Sequence, residues 1–165
     1  MAYGDHFRLV TDVTAHMDLQ ASSIDAFLQS RYTGFFAVAS AAVLELALKE
    51  IVISFAQKNH ALFGDYVSAK YERINGRIGL DDIRKDHITP FGQSYLDTFK
   101  ERIARTESYF LKKRSISIKN SYTNLLTCRH AFAHEGSTTA MTYSEVKQGF
   151  TSGKIVMWCL AKTLS

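Results

Sequence analysis

The stretch SISIKNSYTNLLTCRHAFAHEG, Ser115 to Gly136, sets Ile118, Tyr122, Leu125, position 129 and Phe132 at offsets of 0, 4, 7, 11 and 14. Steps of three and four draw one face of an α-helix, so the spacing predicts a helix from Ser115 to His134. Glu135 and Gly136 offer its stop, with glycine where a chain commonly leaves a helix through a left-handed conformation. The fourth member of this otherwise apolar stripe is Arg129. A guanidinium cannot shed its proton, so in that position it needs an anion, a carboxylate or water to receive it.

On the C-terminal side, Ser137 to Met141 reads as extended or looped. Thr142 with Glu145 then makes a capping box that opens a last helix through Val146, Phe150, Ile155, Trp158 and Leu164. Gly149 and Gly153 weaken its middle. On the N-terminal side, Leu96, Phe99, Ile103 and Phe110 predict a helix from Ser94 to Lys112. Before it, Asp81, Asp82, Arg84, Lys85 and Asp86 surround Ile83, and Pro90 is the only proline in the chain. That pattern predicts an irregular connector near residues 75–92 containing a short helical turn. Tyr66 to Ile74 reads as a helix closed by Asn75 and Gly76. Arg31 to about Lys58 is apolar nearly all round until Lys49 and Glu50, the mark of a central helix buried on most sides. Phe7, Val10, Thr14, Met17, Ala21, Ile24 and Leu28 draw a first stripe from about Asp5 to Gln29, loosened by Ser22 and Ser23.

One proline and nine glycines in 165 residues argue against a turn-rich β-sandwich. Hydrophobic residues at 46% and charged residues at 22% are ordinary for a globular chain. No repeat, linker or low-complexity tract divides it, so the expectation is an all-α, single-domain antiparallel helical bundle over residues 1–165. Cys128 and Cys159 stand 31 residues apart, which fits neither a zinc ribbon nor a redox pair and reads as two buried, reduced thiols. Asp5, His6 and Arg8 interrupt any signal-peptide core, and the apolar run Phe35 to Leu48 is too short to span a bilayer and holds Glu45. A cytoplasmic protein without a membrane partner is expected.

The formal net charge of +4 hides an uneven distribution. Lys100 to Lys119 carries seven basic and two acidic residues, whereas the rest of the chain sums to −1. Lys112, Lys113, Arg114 and Lys119 belong to this run, and Tyr109, Phe110 and Tyr122 interleave rings that could stack on unpaired bases. A solvated helix face with core aromatics has the same appearance. His130 and His134, four residues apart, lie one above the other at the end of the motif helix. By themselves two histidines make a weak metal signal, since no H-E-x-x-H pattern or nearby acidic ligand accompanies them. Glu45 is the only charge between Gly34 and Leu48. It fits an i, i+4 pair with Lys49, and it also fits the carboxylate that Arg129 requires.

An all-helical chain whose penultimate helix ends in Arg129, His130, Ala133 and His134, followed by Gly136 and one last helix, resembles the HEPN superfamily of ribonucleases and nucleotide-binding proteins. It is most similar to the stand-alone prokaryotic branch associated with RNA processing and phage defence. The resemblance implies an HEPN-type helical bundle and a homodimer in which two R-x-x-x-x-H motifs face each other and cut RNA with no metal and no cofactor. In that chemistry the ribose 2′-hydroxyl attacks the adjacent phosphorus, leaving 2′,3′-cyclic phosphate and 5′-hydroxyl ends. His134 would serve as general base or acid, Arg129 would hold the scissile phosphate, and His130 and Glu45 would support them. A toxin or phage-defence role, with an antitoxin or other regulatory partner, is the associated expectation. The alternative from another class is a non-catalytic HEPN module that binds nucleotides, RNA or a partner protein. HEPN toxins silenced by a partner nucleotidyltransferase usually carry a tyrosine two residues after the motif histidine; Gly136 stands there in this chain, and Tyr143 is too distant to replace it.

Overall fold

The computed structural model describes residues 2–20, 25–136 and 140–165. A 3-10 turn, Ala2–Phe7, leads into α1 (Arg8–Gln20), followed by α2 (Ala26–Asn59), α3 (Ala61–Glu72), a single α-turn α4 (Leu80–Asp82), α5 (Gln93–Arg114), α6 (Ile118–Glu135) and α7 (Tyr143–Thr163). The described residues contain no strand. None of their helices is long and apolar enough to cross a membrane.

The spine is α2, 34 residues and about 51 Å long at 1.5 Å per residue. It starts where Asp25 Oδ1 accepts from the amides of Phe27 and Leu28 at 2.9 and 3.0 Å. This cap overrides the single first helix expected over residues 5–29. Leu28 therefore belongs to α2, while Ala21, Ser22, Ser23 and Ile24 lie outside the described residues. Phe36, Ala37, Ala41, Leu44, Ala47, Leu48 and Val52 form the buried side of α2. The opposite side is not covered as the sequence suggested: Leu28, Tyr32, Phe35, Ala42 and Leu46 are exposed.

Two expected weak points in the last helix are packing surfaces. A Cβ on Gly149 would lie 2.8 Å from Leu125 Cβ and from the Ser121 carbonyl oxygen, and one on Gly153 would lie 2.5 Å from Leu44 Cδ1. Glycine lets α7 approach α6 and α2 this closely. The Thr142–Glu145 capping box opens α7, with Thr142 N donating to Glu145 Oε2 at 2.7 Å and Glu145 N donating to Thr142 Oγ1 at 3.3 Å. The loop expected at Ser137 to Met141 lies partly outside the described residues. The connector near residues 75–92 is irregular by winding rather than by lacking helix: α4 runs into a π-helical turn, Ile83–Ile88, and a 3-10 turn, Thr89–Phe91.

Candidate functional site

The C-terminal half of α6 runs antiparallel along α2. Phe132 covers Gly34 so closely that a Cβ there would sit 2.1 Å from its ring, and the ring meets Phe35 edge-on at 5.0 Å. One turn earlier, Arg129 points away from this contact into a cavity of about 380 Å³, lined also by Glu45, Asp82 and His130. The buried stripe Ile118, Tyr122 and Leu125 thus gives way to Arg129, which is half-buried, at the point where the helix leaves the core.

The cavity wall opposite Arg129 is the turn after α3, and four consecutive residues of it are fastened through their backbone. Gly76 N–H donates to Glu45 Oε2 at 2.8 Å, and the Arg77 carbonyl accepts from His87 Nε2 at 2.7 Å. The Ile78 carbonyl accepts from Tyr122 Oη at 2.6 Å, and Gly79 N–H donates to Asp82 Oδ2 at 3.0 Å. Gly76 has φ of +72°, and a Cβ there would stand 3.5 Å from Arg129 Nη2. That is an ordinary van der Waals distance, so glycine is required here by the left-handed turn and not by the guanidinium beside it.

Glu45 realises its pairing with Lys49, Nζ to Oε1 at 3.0 Å, while Lys49 also donates to Asn75 Oδ1 at 3.3 Å. Its other oxygen is occupied by the Gly76 amide. Among the described residues Arg129 makes no ion pair, with Glu45 or with any other carboxylate. The two carboxylates lining its cavity are both engaged by backbone amides. The guanidinium accordingly presents its donors to open space, as it must to receive an external anion.

His130 and His134 are both exposed, with ring centroids 4.6 Å apart, and only His130 lines the cavity. Gly136 ends the helix at φ +61°, and its carbonyl accepts from Arg31 Nη1 at 3.3 Å, tying the end of the motif to the start of α2. No group of three or more His, Cys, Asp or Glu suited to a metal ion exists among the described residues.

The basic residues singled out from sequence are not brought to this cavity. Lys119 lies at the start of α6, ten residues or about 15 Å of helix from Arg129. Lys112, Lys113 and Arg114 end α5 at the same corner. Tyr122 cannot stack on a base, because it is fully buried and its hydroxyl is bound to Ile78; burial holds that hydroxyl far above the ordinary tyrosine pKa. Sequence reading missed a nearer basic group: Lys70, Arg73, Arg77 and Lys85 line a cavity of about 500 Å³ reaching Asn75, the residue before Gly76. These cations alternate with acidic neighbours along the chain; in the fold Asp86 also lines the cavity and pairs with Arg77 at 3.3 Å, which leaves Lys70, Arg73 and Lys85 in excess.

Long helices in this order, with no strand among the described residues, make an all-α protein. The family model RiboL-PSP-HEPN matches residues 7–165, and the chain belongs to that family and so to the HEPN superfamily. No curated protein and no solved structure matches the chain. Membership associates it with RNA-related, nuclease-type function in general terms.

Proposed function

We propose that the chain is a cytoplasmic, metal-independent endoribonuclease acting as a homodimer, with residues 1–165 forming one HEPN domain and with a toxin or phage-defence role. The observation that carries this reading is Arg129, an unpaired guanidinium opening into a cavity that His130 also lines, with the His134 ring 4.6 Å from that of His130. A scissile phosphate on Arg129 would gain a two-point contact and compensation for the charge that grows on its oxygens. A neutral imidazole takes the 2′-hydroxyl proton as the 2′ oxygen bonds to phosphorus. The bond to the 5′ oxygen breaks, and an imidazolium delivers a proton to it. The products are a 2′,3′-cyclic phosphate and a 5′-hydroxyl. His134 is assigned to proton transfer, with the same side chain of a second copy as its partner in the cycle. His130 orients the phosphate from the cavity wall, and Glu45 positions the Gly76 turn. Lys70, Arg73, Arg77 and Lys85 offer a path for phosphates leaving the cavity.

The dimer rests on the exposed side of α2. Leu28, Tyr32, Phe35, Ala39, Ala42 and Leu46 follow alternating steps of four and three, a heptad seam with small residues at its middle. Because α6 lies along α2 with Phe132 at Gly34 and Arg129 near Glu45, a two-fold axis close to Ala39 would bring both motifs to one level. The exposure of His134 outside the cavity favours the second reading, a module that binds a nucleotide or RNA through Arg129 without cutting it.

Purified protein incubated with mixed-sequence RNA in excess chelator tests the proposal. Cleavage to cyclic-phosphate ends should fall at least about 100-fold in Arg129→Ala and in His134→Ala. Cleavage that survives both substitutions, or that requires a divalent metal, would overturn it. Nucleotide binding without cleavage by the wild type would establish the second reading.

A further inference from the structure

On another side of the bundle, α5 and α7 enclose a cavity of about 580 Å³ lined by Arg105, Tyr109, Phe110, Lys154, Ile155 and Trp158. Large rings usually seek burial, yet Trp158 is 42% and Tyr109 58% exposed here. Cations accompany the aromatic surface: Arg102 Cζ lies 5.9 Å from the Trp158 ring centroid and Arg114 Cζ lies 5.8 Å from that of Phe110, while Lys154, which lines the groove, has its Nζ 4.9 Å from the ring centroid of the buried Phe150. Two nearby carboxylates are already engaged. Glu101 pairs with Arg105, and Glu107 accepts from Ser117 Oγ at 2.6 Å and from Lys119 N at 3.1 Å. Lys112, Lys113 and Arg114 continue the basic edge of α5.

Exposed flat rings bordered by cations match the chemistry of single-stranded nucleic acid. Unpaired bases stack on the rings and phosphates meet the charges, whereas a duplex keeps its bases stacked on one another. The volume suits an inserted base with its sugar. We propose that the α5–α7 groove is a second RNA site, where an unpaired base stacks on Trp158 and Tyr109 while Arg105 and Lys154 hold the flanking phosphates. This deepens the RNA reading above and rests on it for the identity of the ligand. Gly153 of α7 packs at the level of Tyr122 in the antiparallel α6. Trp158 lies five residues beyond that level and Arg129 seven residues the other way, so the two sites stand about 18 Å apart along the bundle. The groove thus anchors a strand away from the point of cleavage and selects single-stranded substrates.

Trp158 is the only tryptophan, so intrinsic emission reports on the groove directly. The full chain is titrated with a short, labelled 2′-O-methyl oligoribonucleotide of mixed sequence, which lacks the attacking hydroxyl, and Trp158 emission and probe anisotropy are followed together. Emission should be quenched with the same midpoint as the anisotropy change. The midpoint should rise about tenfold in Tyr109→Ala and in the double variant Arg105→Glu, Lys154→Glu, and quenching should persist in Arg129→Ala. Saturating anisotropy with silent emission overturns the proposal, as does equal quenching by a duplex. Emission that changes with protein concentration alone also overturns it, since that marks a second copy in the groove. Quenching without cleavage of ordinary RNA upholds the groove and removes the nuclease; cleavage with silent Trp158 does the reverse.

Discussion

His87 is fully buried, and its two ring nitrogens have unequal partners. The Arg77 carbonyl can only accept, so Nε2 carries the proton, and Nδ1 accepts from Tyr71 Oη at 2.7 Å. Burial lowers the His87 pKa, partly opposed by the Arg77 carbonyl and by the carboxylates of Asp86 and Asp82. The unfolded chain therefore binds the proton more readily than the folded one. Stability from this residue is complete above about pH 6.5 and is lost as the pH falls through the lowered folded value. The urea midpoint should drop between about pH 7.5 and pH 5.5, and drop less in His87→Gln. An equal drop in both proteins would remove His87 as the cause. The sequence gives no sign of this histidine, which sits among charges in a connector with no period. Glu45 was more legible: a lone charge in an apolar run must meet a partner, and Lys49 one turn on was among the candidates. That a backbone amide would take its second oxygen depends on the distant Asn75–Gly76 turn. Tyr122 shows the opposite error. Its place on the stripe with Ile118 and Leu125 already marked it for burial, whatever the charge of its neighbours.

Helix ends with a local chemical signature could be read directly, as Thr142 with Glu145 and Gly136 show. Asp25 carried a weaker capping signature, a lone N-cap residue with Leu28 where a capping box needs Glu or Gln, and the apolar steps through Ile24 and Leu28 masked it. Periodicity alone cannot tell one long helix from two that share phase. The glycines of α7 illustrate why propensity is a weak guide inside a core. Gly149 costs helix propensity, yet it allows α6 to lie against the α7 backbone. Gly149→Ala, which should help an isolated helix, should destabilise the protein by about 1–3 kcal/mol, because the new methyl meets the Ser121 carbonyl and Leu125 Cβ. Equilibrium denaturation measures this, and a neutral or stabilising result would mean that the two helices separate without cost. Ser115 argues in the other direction. It ends α5 in the left-handed region at φ +55°, where its Cβ is strained, so Ser115→Gly should raise stability by up to about 1 kcal/mol.

For the molecule as a whole, the consequential surface is the uncovered side of α2, because the fold buries only one side of its most apolar helix. Phe35 is 62% exposed at the middle of the structure, beside Phe132 of the motif helix. A glutamate at Ala42 would keep α2 helical and leave the core untouched, since position 42 already faces solvent. In a two-fold seam it would set two carboxylates against each other among apolar side chains, without room or counter-charge. Ala42→Glu should therefore yield a folded monomer, read by sedimentation and circular dichroism, with RNA cleavage reduced at least about 100-fold. Loss of cleavage should follow the monomer fraction as protein is diluted, because half of the proton-transfer machinery leaves with the second copy. A monomeric Ala42→Glu protein with undiminished cleavage would show that one Arg129 cavity suffices. The seam would then serve assembly alone, and the second imidazole would have to be His130.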